Sequence, residues 1–296
     1  MFLFTSSRQE YLRLDKKITL WKLLQQPGEA PVLQELIPER KDSLDAAAGS
    51  LPPGAYTTLR TYSNSKANNL ESHFLRLEET ARLAGRPLQL ERQGLRQALR
   101  QAVQSYGGAF DLRMRILLDL KDEQLYLAAE PLRTPPELAY QQGVKVITCS
   151  YVRQNPKAKL TSTMLGAEML RRSLPSDVNE AVMLDPENRL LEGLSSNFFA
   201  VLTGVLWTAE QGVLSGITRQ AILEEVRTAG LPLRLEGLPL AELPQASEAF
   251  ISSASRGVLP VRMVDSLVIG SGAPGPITRQ LSQLYQARIE RDLEEI

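Results

Sequence analysis

Leu190-Leu191-Glu192-Gly193-Leu194-Ser195-Ser196-Asn197-Phe198-Phe199 sets one carboxylate between two short apolar runs. Residues 190–192 and 198–202 read as strands, with the Gly-Leu-Ser-Ser stretch turning between them. A carboxylate in an apolar strand needs a hydrogen-bonded or cationic partner, because burying the bare charge is expensive. Glu192 is therefore either the ligand of a cationic group or a strand-end residue facing water beside a turn.

The flanking segments extend this pattern in both directions. Upstream lie a strand at 144–151, a helix at about 162–172 and a strand at 181–184. Downstream come a strand at 205–208, a helix at 218–229 ended by Gly230-Leu231-Pro232, strands at 249–252 and 258–264, and a last helix at 277–293. Earlier in the chain, 56–62 is β-branched and aromatic, hence a strand. Asn69 reads as the N-cap of a helix with Leu70, Phe74, Leu77 and Ala81 on one side. A helix at 92–106 and strands at 110–118 and 124–129 follow. Residues 18–24 are open between strand and short helix, and 43–53 read as a polar loop. Thr134-Pro135-Pro136 breaks the pattern. It divides the chain into an N-terminal α/β domain (1–133), a linker (134–142) and a C-terminal domain (143–296). Strands and helices mix without regular βαβ alternation, so the expected class is α+β, or mixed α/β.

Bulk composition narrows the chemistry. The 296 residues are 43% hydrophobic and 23% charged, as in ordinary soluble proteins. The 34 basic residues balance the 34 acidic ones, so no net field favours nucleic acid or an anionic membrane. A single cysteine, Cys149, excludes an intrachain disulfide framework. A single histidine, His73, argues against a zinc site and against Ser-His or Cys-His catalysis, and no metal is expected. No basic segment followed by an apolar run opens the chain, and no stretch approaches 18 apolar residues. The expected location is cytoplasmic.

Lys159 is the last lysine of the chain, in Asn155-Pro156-Lys157-Ala158-Lys159 between a strand and a helix. A nucleophilic lysine must lose its proton, which partial burial or neighbouring cations can bring about. Lys157, two residues away, is its rival, and both are also readable as solvated loop lysines. Gly216-Ile217-Thr218-Arg219 opens a helix. Its free N–H groups and dipole suit a phosphate, and equally suit an ordinary Thr cap. Arg113-Met114-Arg115 puts two guanidiniums on one strand face, either to clamp a carboxylate or to meet solvent. His73 reads as structural. Gly270-Ser271-Gly272-Ala273-Pro274-Gly275 has the glycines of a dinucleotide loop, but too little chain follows for a βαβ unit, so it reads as a turn. An amine, a carboxylate and an anion-binding helix start together suit an aldehyde cofactor carrying a ring nitrogen and a phosphate.

From about Tyr56 onward, roughly four-fifths of the chain, the sequence resembles the class IV (fold-type IV) pyridoxal-phosphate enzymes. These include branched-chain and D-amino-acid aminotransferases and aminodeoxychorismate lyases. The resemblance rests on His73-Phe-Leu-Arg76-Leu77, Glu192-Gly-Leu-Ser-Ser-Asn197-Phe-Phe, Leu214-Ser-Gly-Ile-Thr218-Arg219, and Glu248-Ala-Phe-Ile-Ser-Ser-Ala254-Ser255 leading to Pro260-Val261. It implies a two-domain fold whose larger C-terminal domain is barrel-like, and a homodimer with its active site near the interface.

Carried over by position, the resemblance makes Lys159, rather than Lys157, the Schiff-base lysine and general base. Glu192 would hold the ring nitrogen of pyridoxal 5'-phosphate, with Asn197 beside it, and Leu214 would pack on the ring. Arg76, Ile217 and Thr218 would bind the phosphate, closed on the other side by Ala254 and Ser255. The candidates for the substrate carboxylate are Arg115, with Arg113 and Tyr56. The chain departs from the family at Ala254, where a hydroxyl is frequent, and at Met164, where a tyrosine is frequent. The implied function is an aminotransferase acting on a small amino acid and a 2-keto acid. The alternatives are a lyase that releases pyruvate and a non-catalytic cofactor binder.

Overall fold

The computed structural model describes residues 18–25, 29–108 and 110–296. The expected lack of an N-terminal leader falls on residues 1–17, outside the described residues. The first unit is a five-stranded antiparallel sheet in the order β2-β1-β6-β5-β3. Its strands are β1 (Thr19–Leu24), β2 (Val32–Leu36), β3 (Gly54–Arg60), β5 (Leu112–Asp119) and β6 (Leu125–Pro131). One face packs on α2 (Leu70–Leu83) and α3 (Arg92–Ser105) around Phe74, Leu77, Leu95 and Leu99. Two short strands, β4 (Lys66–Asn68) and the C-terminal β16 (Leu293–Glu295), pair antiparallel beside α2. Asn69 precedes α2 as expected but does not cap it. It adopts φ 57°, and Glu294 instead accepts from the Leu70 N–H at 2.8 Å.

Residues 43–53 are not the polar loop expected from sequence. They contain α1 (Leu44–Ala48), whose five residues are all buried. Ser43 caps it by accepting from the Ala46 N–H at 3.0 Å, so a single turn survives because its packing, not its length, stabilises it.

After the Pro-Pro break comes a short helix, α4 (Glu137–Gln142). The second sheet then runs through β7 (Val144–Cys149), β8 (Val178–Leu184), β9 (Leu190–Gly193), β10 (Asn197–Leu202), β13 (Glu248–Ser253) and β14 (Gly257–Val264). The order is β10-β13-β14-β7-β8-β9, and a β9–β10 pairing closes it into a barrel-like ring. β11 (Val205–Trp207) and β12 (Leu233–Arg234) extend it beyond β10, and β15 (Leu267–Val268) pairs with β14. β7 runs parallel to both of its neighbours. A parallel pair needs a crossover, and here it is α5 (Thr161–Arg172).

Lys159 stands in the β7-to-α5 loop, two residues before the helix begins. The helices α6 (Ile217–Thr228) and α7 (Pro276–Asp292) cover the barrel over a core that includes Phe199 and Phe250, stacked at 4.5 Å. The glycine-rich 270–275 segment is a turn leading to Pro276 at the first position of α7, as read.

Candidate active site

Between the two sheets lies a cavity of about 640 Å³, a size suited to a cofactor plus a small substrate. Its wall includes every residue singled out by the resemblance: Tyr56, Arg76, Arg113, Arg115, Lys159, Glu192, Asn197, Leu214, Ile217, Thr218, Ala254 and Ser255. Met164 and His73 line it too. Lys157 points elsewhere, donating to the Glu210 carbonyl at 2.8 Å. The two lysines left open by sequence thus separate, and only Lys159 faces the cavity.

The loop carrying Lys159 is pinned on both sides. The Tyr56 N–H donates to the Lys159 carbonyl at 2.9 Å, and the Lys159 N–H donates to Thr80 Oγ1 at 3.2 Å. Its Nζ lies 4.8 Å from the centre of the Tyr56 ring. Burial, joined by the Arg153, Arg76 and Arg115 guanidiniums, pulls its pKa down to about 7, while Glu192 pulls the other way. A substantial share of the amine is therefore unprotonated at neutral pH. Nearby His73 is buried, shares a 2.8 Å hydrogen bond with Thr57 Oγ1, and is pushed down to about 3, so it stays neutral.

Glu192 is 2% exposed. Asn197 Nδ2 donates to its Oε2 at 3.0 Å, and the Leu214 N–H donates to its Oε1 at 3.1 Å. Arg153 Nη1 lies 3.2 Å from Oε1. Burial still raises the Glu192 pKa against these partners, so an additional cation at this carboxylate would be stabilised. Arg153 was not singled out from the sequence. It sits in an irregular loop with no periodicity, and only the fold brings it to Glu192.

The helix start is shaped by Gly216, the N-cap of α6, which makes no side-chain cap. A Cβ there would lie 2.2 Å from Asn197 Oδ1, so a bare backbone is needed where the helix meets the β10 amide. The position is held by Arg219, fully buried, which donates to the Ala209 carbonyl at 2.8 Å and to Glu210 at 2.7 Å. Helix geometry leaves the first N–H groups, those of Ile217 and Thr218, without acceptors in the helix. Arg76 reaches this end from α2 and donates to the Ser215 carbonyl. A guanidinium beside a helix N-terminus, with one buried carboxylate and one free amine in the same cavity, fits the phosphate, ring nitrogen and aldehyde of pyridoxal phosphate. Ala254 and Ser255 occupy the turn between β13 and β14 and line the same cavity.

Arg113 and Arg115 share one face of β5, as the alternation predicted, but neither guanidinium is free. Both engage Asp45 of α1, at 3.2 and 2.5 Å, and Arg113 also engages Glu130 at 2.9 Å. Arg171 of α5 joins them on the other oxygen of Asp45. Sequence reading missed Asp45 and Arg171, because partners 68 to 126 residues apart leave no local signal. Among the described residues no group of His, Cys, Asp and Glu is placed to hold a metal ion, and no helix is long and apolar enough to cross a membrane.

Comparison with known proteins accords with this geometry. Residues 54–264 match the family model described as amino-transferase class IV. The branched-chain-amino-acid aminotransferase of Pseudomonas aeruginosa is 28% identical over 261 residues, covering 78% of this chain and 82% of its own. The D-alanine aminotransferase of Bacillus licheniformis is 28% identical over 249 residues, covering 80% and 87%. Among solved structures, the branched-chain amino acid aminotransferase from Escherichia coli superposes with a TM-score of 0.72 at 22% identity, over 95% of this chain and 99% of that one. At that identity the likeness is one of fold. With the family model spanning residues 54–264, well over half of its length, the chain belongs to the class IV aminotransferases.

Proposed function

We propose that this aminotransferase moves an amino group between a small amino acid and a 2-keto acid, using pyridoxal 5'-phosphate carried on Lys159. The observation that supports it most is the convergence in one cavity of an amine with its pKa near 7, a buried carboxylate and a helix start flanked by Arg76. When bound, the cofactor supplies the aldehyde that condenses with amines and a protonated ring that draws electrons from the substrate Cα.

The chain's residues do the rest. Glu192, held by Asn197 and the Leu214 N–H, would pair with the ring nitrogen and keep it protonated. Arg76 and the N–H groups of Ile217 and Thr218 would hold the phosphate, with Ala254 and Ser255 opposite. Leu214 would pack on the ring. Lys159 Nζ, in its unprotonated form, would take the proton from the substrate Cα and deliver it to the carbon of the cofactor's aldehyde group. Tyr56, with Arg115 beneath its ring at 4.8 Å, borders the place where the substrate carboxylate would lie.

The names of the relatives favour transfer over pyruvate-releasing cleavage. We carry the two-domain division at residues 134–142, the homodimer and the cytoplasmic location as parts of the same reading. The test is a panel of amino donors with 2-oxoglutarate as acceptor. Formation of the donor's keto acid, in a yellow protein, is expected. A protein that cannot be loaded with cofactor, or that releases pyruvate without an acceptor, contradicts the reading.

A further inference from the structure

Glu180 of β8 is fully buried, and three cavity-lining residues bond to it. Ser195 Oγ donates to its Oε2 at 2.6 Å, Ser196 Oγ at 3.1 Å and Arg256 Nη2 at 3.0 Å. The two serines belong to the turn between β9 and β10, with Glu192 before it and Asn197 directly after it. Arg256 closes the turn between β13 and β14, next to Ala254 and Ser255. One carboxylate thus joins two turns whose contacting residues are 61 positions apart in the chain. We infer that Glu180 and Arg256 are positioning residues: the pair ties the turn beside Glu192 and Asn197 to the turn that carries Ala254 and Ser255, and so fixes the ring-nitrogen end of the cofactor site relative to its phosphate end. The inference rests on the pyridoxal-phosphate reading of the cavity and adds two residues to it.

The joint is built of directional bonds. Arg256 spends its whole fork on it: Nε donates to Ser253 Oγ at 3.1 Å, Nη1 to Asn179 Oδ1 at 3.2 Å, and Nη2 to Ser195 Oγ at 2.8 Å as well as to Glu180. Its own carbonyl accepts from the Tyr140 hydroxyl of α4 at 2.8 Å. On the other side, the first turn presses directly on the carboxylate. A Cβ on Gly193 would lie 2.4 Å from Ser196 Oγ and 2.7 Å from Glu180 Cγ, so the residue after Glu192 must be bare. Ala254 has no polar side chain to fasten its own turn, which leaves the fastening to Arg256. Burial works to raise the Glu180 pKa, yet Arg256 and then Ser195 hold it below the ordinary value, so these bonds are charge-assisted. An apolar pair of similar volume would fill the space without the desolvation cost. What the charged pair adds is a fixed geometry between the two turns.

The experiment titrates cofactor-free full-length protein with pyridoxal 5'-phosphate and with pyridoxal, which has the same ring nitrogen and aldehyde but no phosphate. Arg256→Met releases only the turn at Ala254 and Ser255, so the Kd of pyridoxal 5'-phosphate should rise tenfold or more while that of pyridoxal moves less than twofold. Arg256→Lys keeps a cation beside Glu180 but not the fork. It should show the same selective loss at threefold or more, so misfolding of the methionine variant does not end the test. Glu180→Gln loosens both turns and should weaken both ligands, each by fivefold or more. Arg256 variants that bind pyridoxal 5'-phosphate as the wild type does overturn the inference. So do Arg256 variants that weaken both ligands equally, which is the result of a purely structural role. A wild type that takes up no pyridoxal 5'-phosphate contradicts the proposed function instead.

Discussion

The Arg153 guanidinium lies 3.2 Å from the Glu192 carboxylate, and after burial it is the largest influence lowering the Lys159 pKa. One cation thus acts on both ends of the site, as counter-ion to the acid and as a charge that repels a proton from the base. Arg153→Met is expected to raise the Lys159 midpoint above about 7, by on the order of one unit. The rate of Lys159 modification by an amine-reactive reagent, followed against pH in cofactor-free protein, checks this. In the wild type the rate should fall about tenfold per unit below the midpoint. An unchanged or lower midpoint in the variant contradicts the assignment.

Glu192→Gln removes the negative charge while keeping the shape and a hydrogen-bonding oxygen. Turnover is expected to fall by about a hundredfold or more, the order that a positioned acid–base partner contributes. The absorbance of the bound cofactor should also respond to pH differently, because the ring nitrogen loses its anionic partner. A variant with wild-type turnover would place the ring nitrogen elsewhere.

Gly216→Ala puts a methyl 2.2 Å from the Asn197 oxygen. Asn197 cannot turn away without losing its bonds to Glu192 and the Leu214 carbonyl, both at 3.0 Å. A cost of about 1–3 kcal/mol in stability is expected from the overpacking, with cofactor affinity weakened by about tenfold. Thermal melting and a cofactor titration measure the two effects separately. Unaltered affinity would show that the helix start does not carry the phosphate.

His73 is neutral in the folded protein because burial, then Arg76 and Lys159, depress its pKa to about 3. The unfolded chain takes up a proton below about 6.5 and the folded one does not, so His73 causes no loss above that pH. Stability then falls as the pH drops from about 6.5 toward 3, by up to about 1.4 kcal/mol per unit from this residue. His73→Asn should flatten the slope between pH 6.5 and 5, a window above the usual carboxylate range. Chemical denaturation at several pH values tests it, and an unchanged slope contradicts it.

Regular elements and local motifs were legible in the sequence for a physical reason. Apolar periodicity, caps and glycine stops are short-range signals, and they located α2, α3, α5 and the strands around Glu192 to within a few residues. The residues that became cavity walls near Lys159 and Gly216 sit in such local contexts. What was not legible depends on distant partners. α1 is a single turn held by burial, so its sequence resembles a loop. Arg153 and Arg171 look like ordinary surface arginines until the β7-to-α5 crossover brings them inward. Arg113 and Arg115 were read as free, to clamp a carboxylate or to meet solvent, because nothing near them in sequence announces Asp45.

The most direct test of the central claim is where the cofactor attaches. Borohydride reduction of the holoenzyme, followed by peptide mapping, is expected to place the reduced adduct on Lys159, and Lys159→Ala should trap none while Lys157→Ala traps as the wild type does. An adduct on Lys157, or one that persists in Lys159→Ala, would contradict the account.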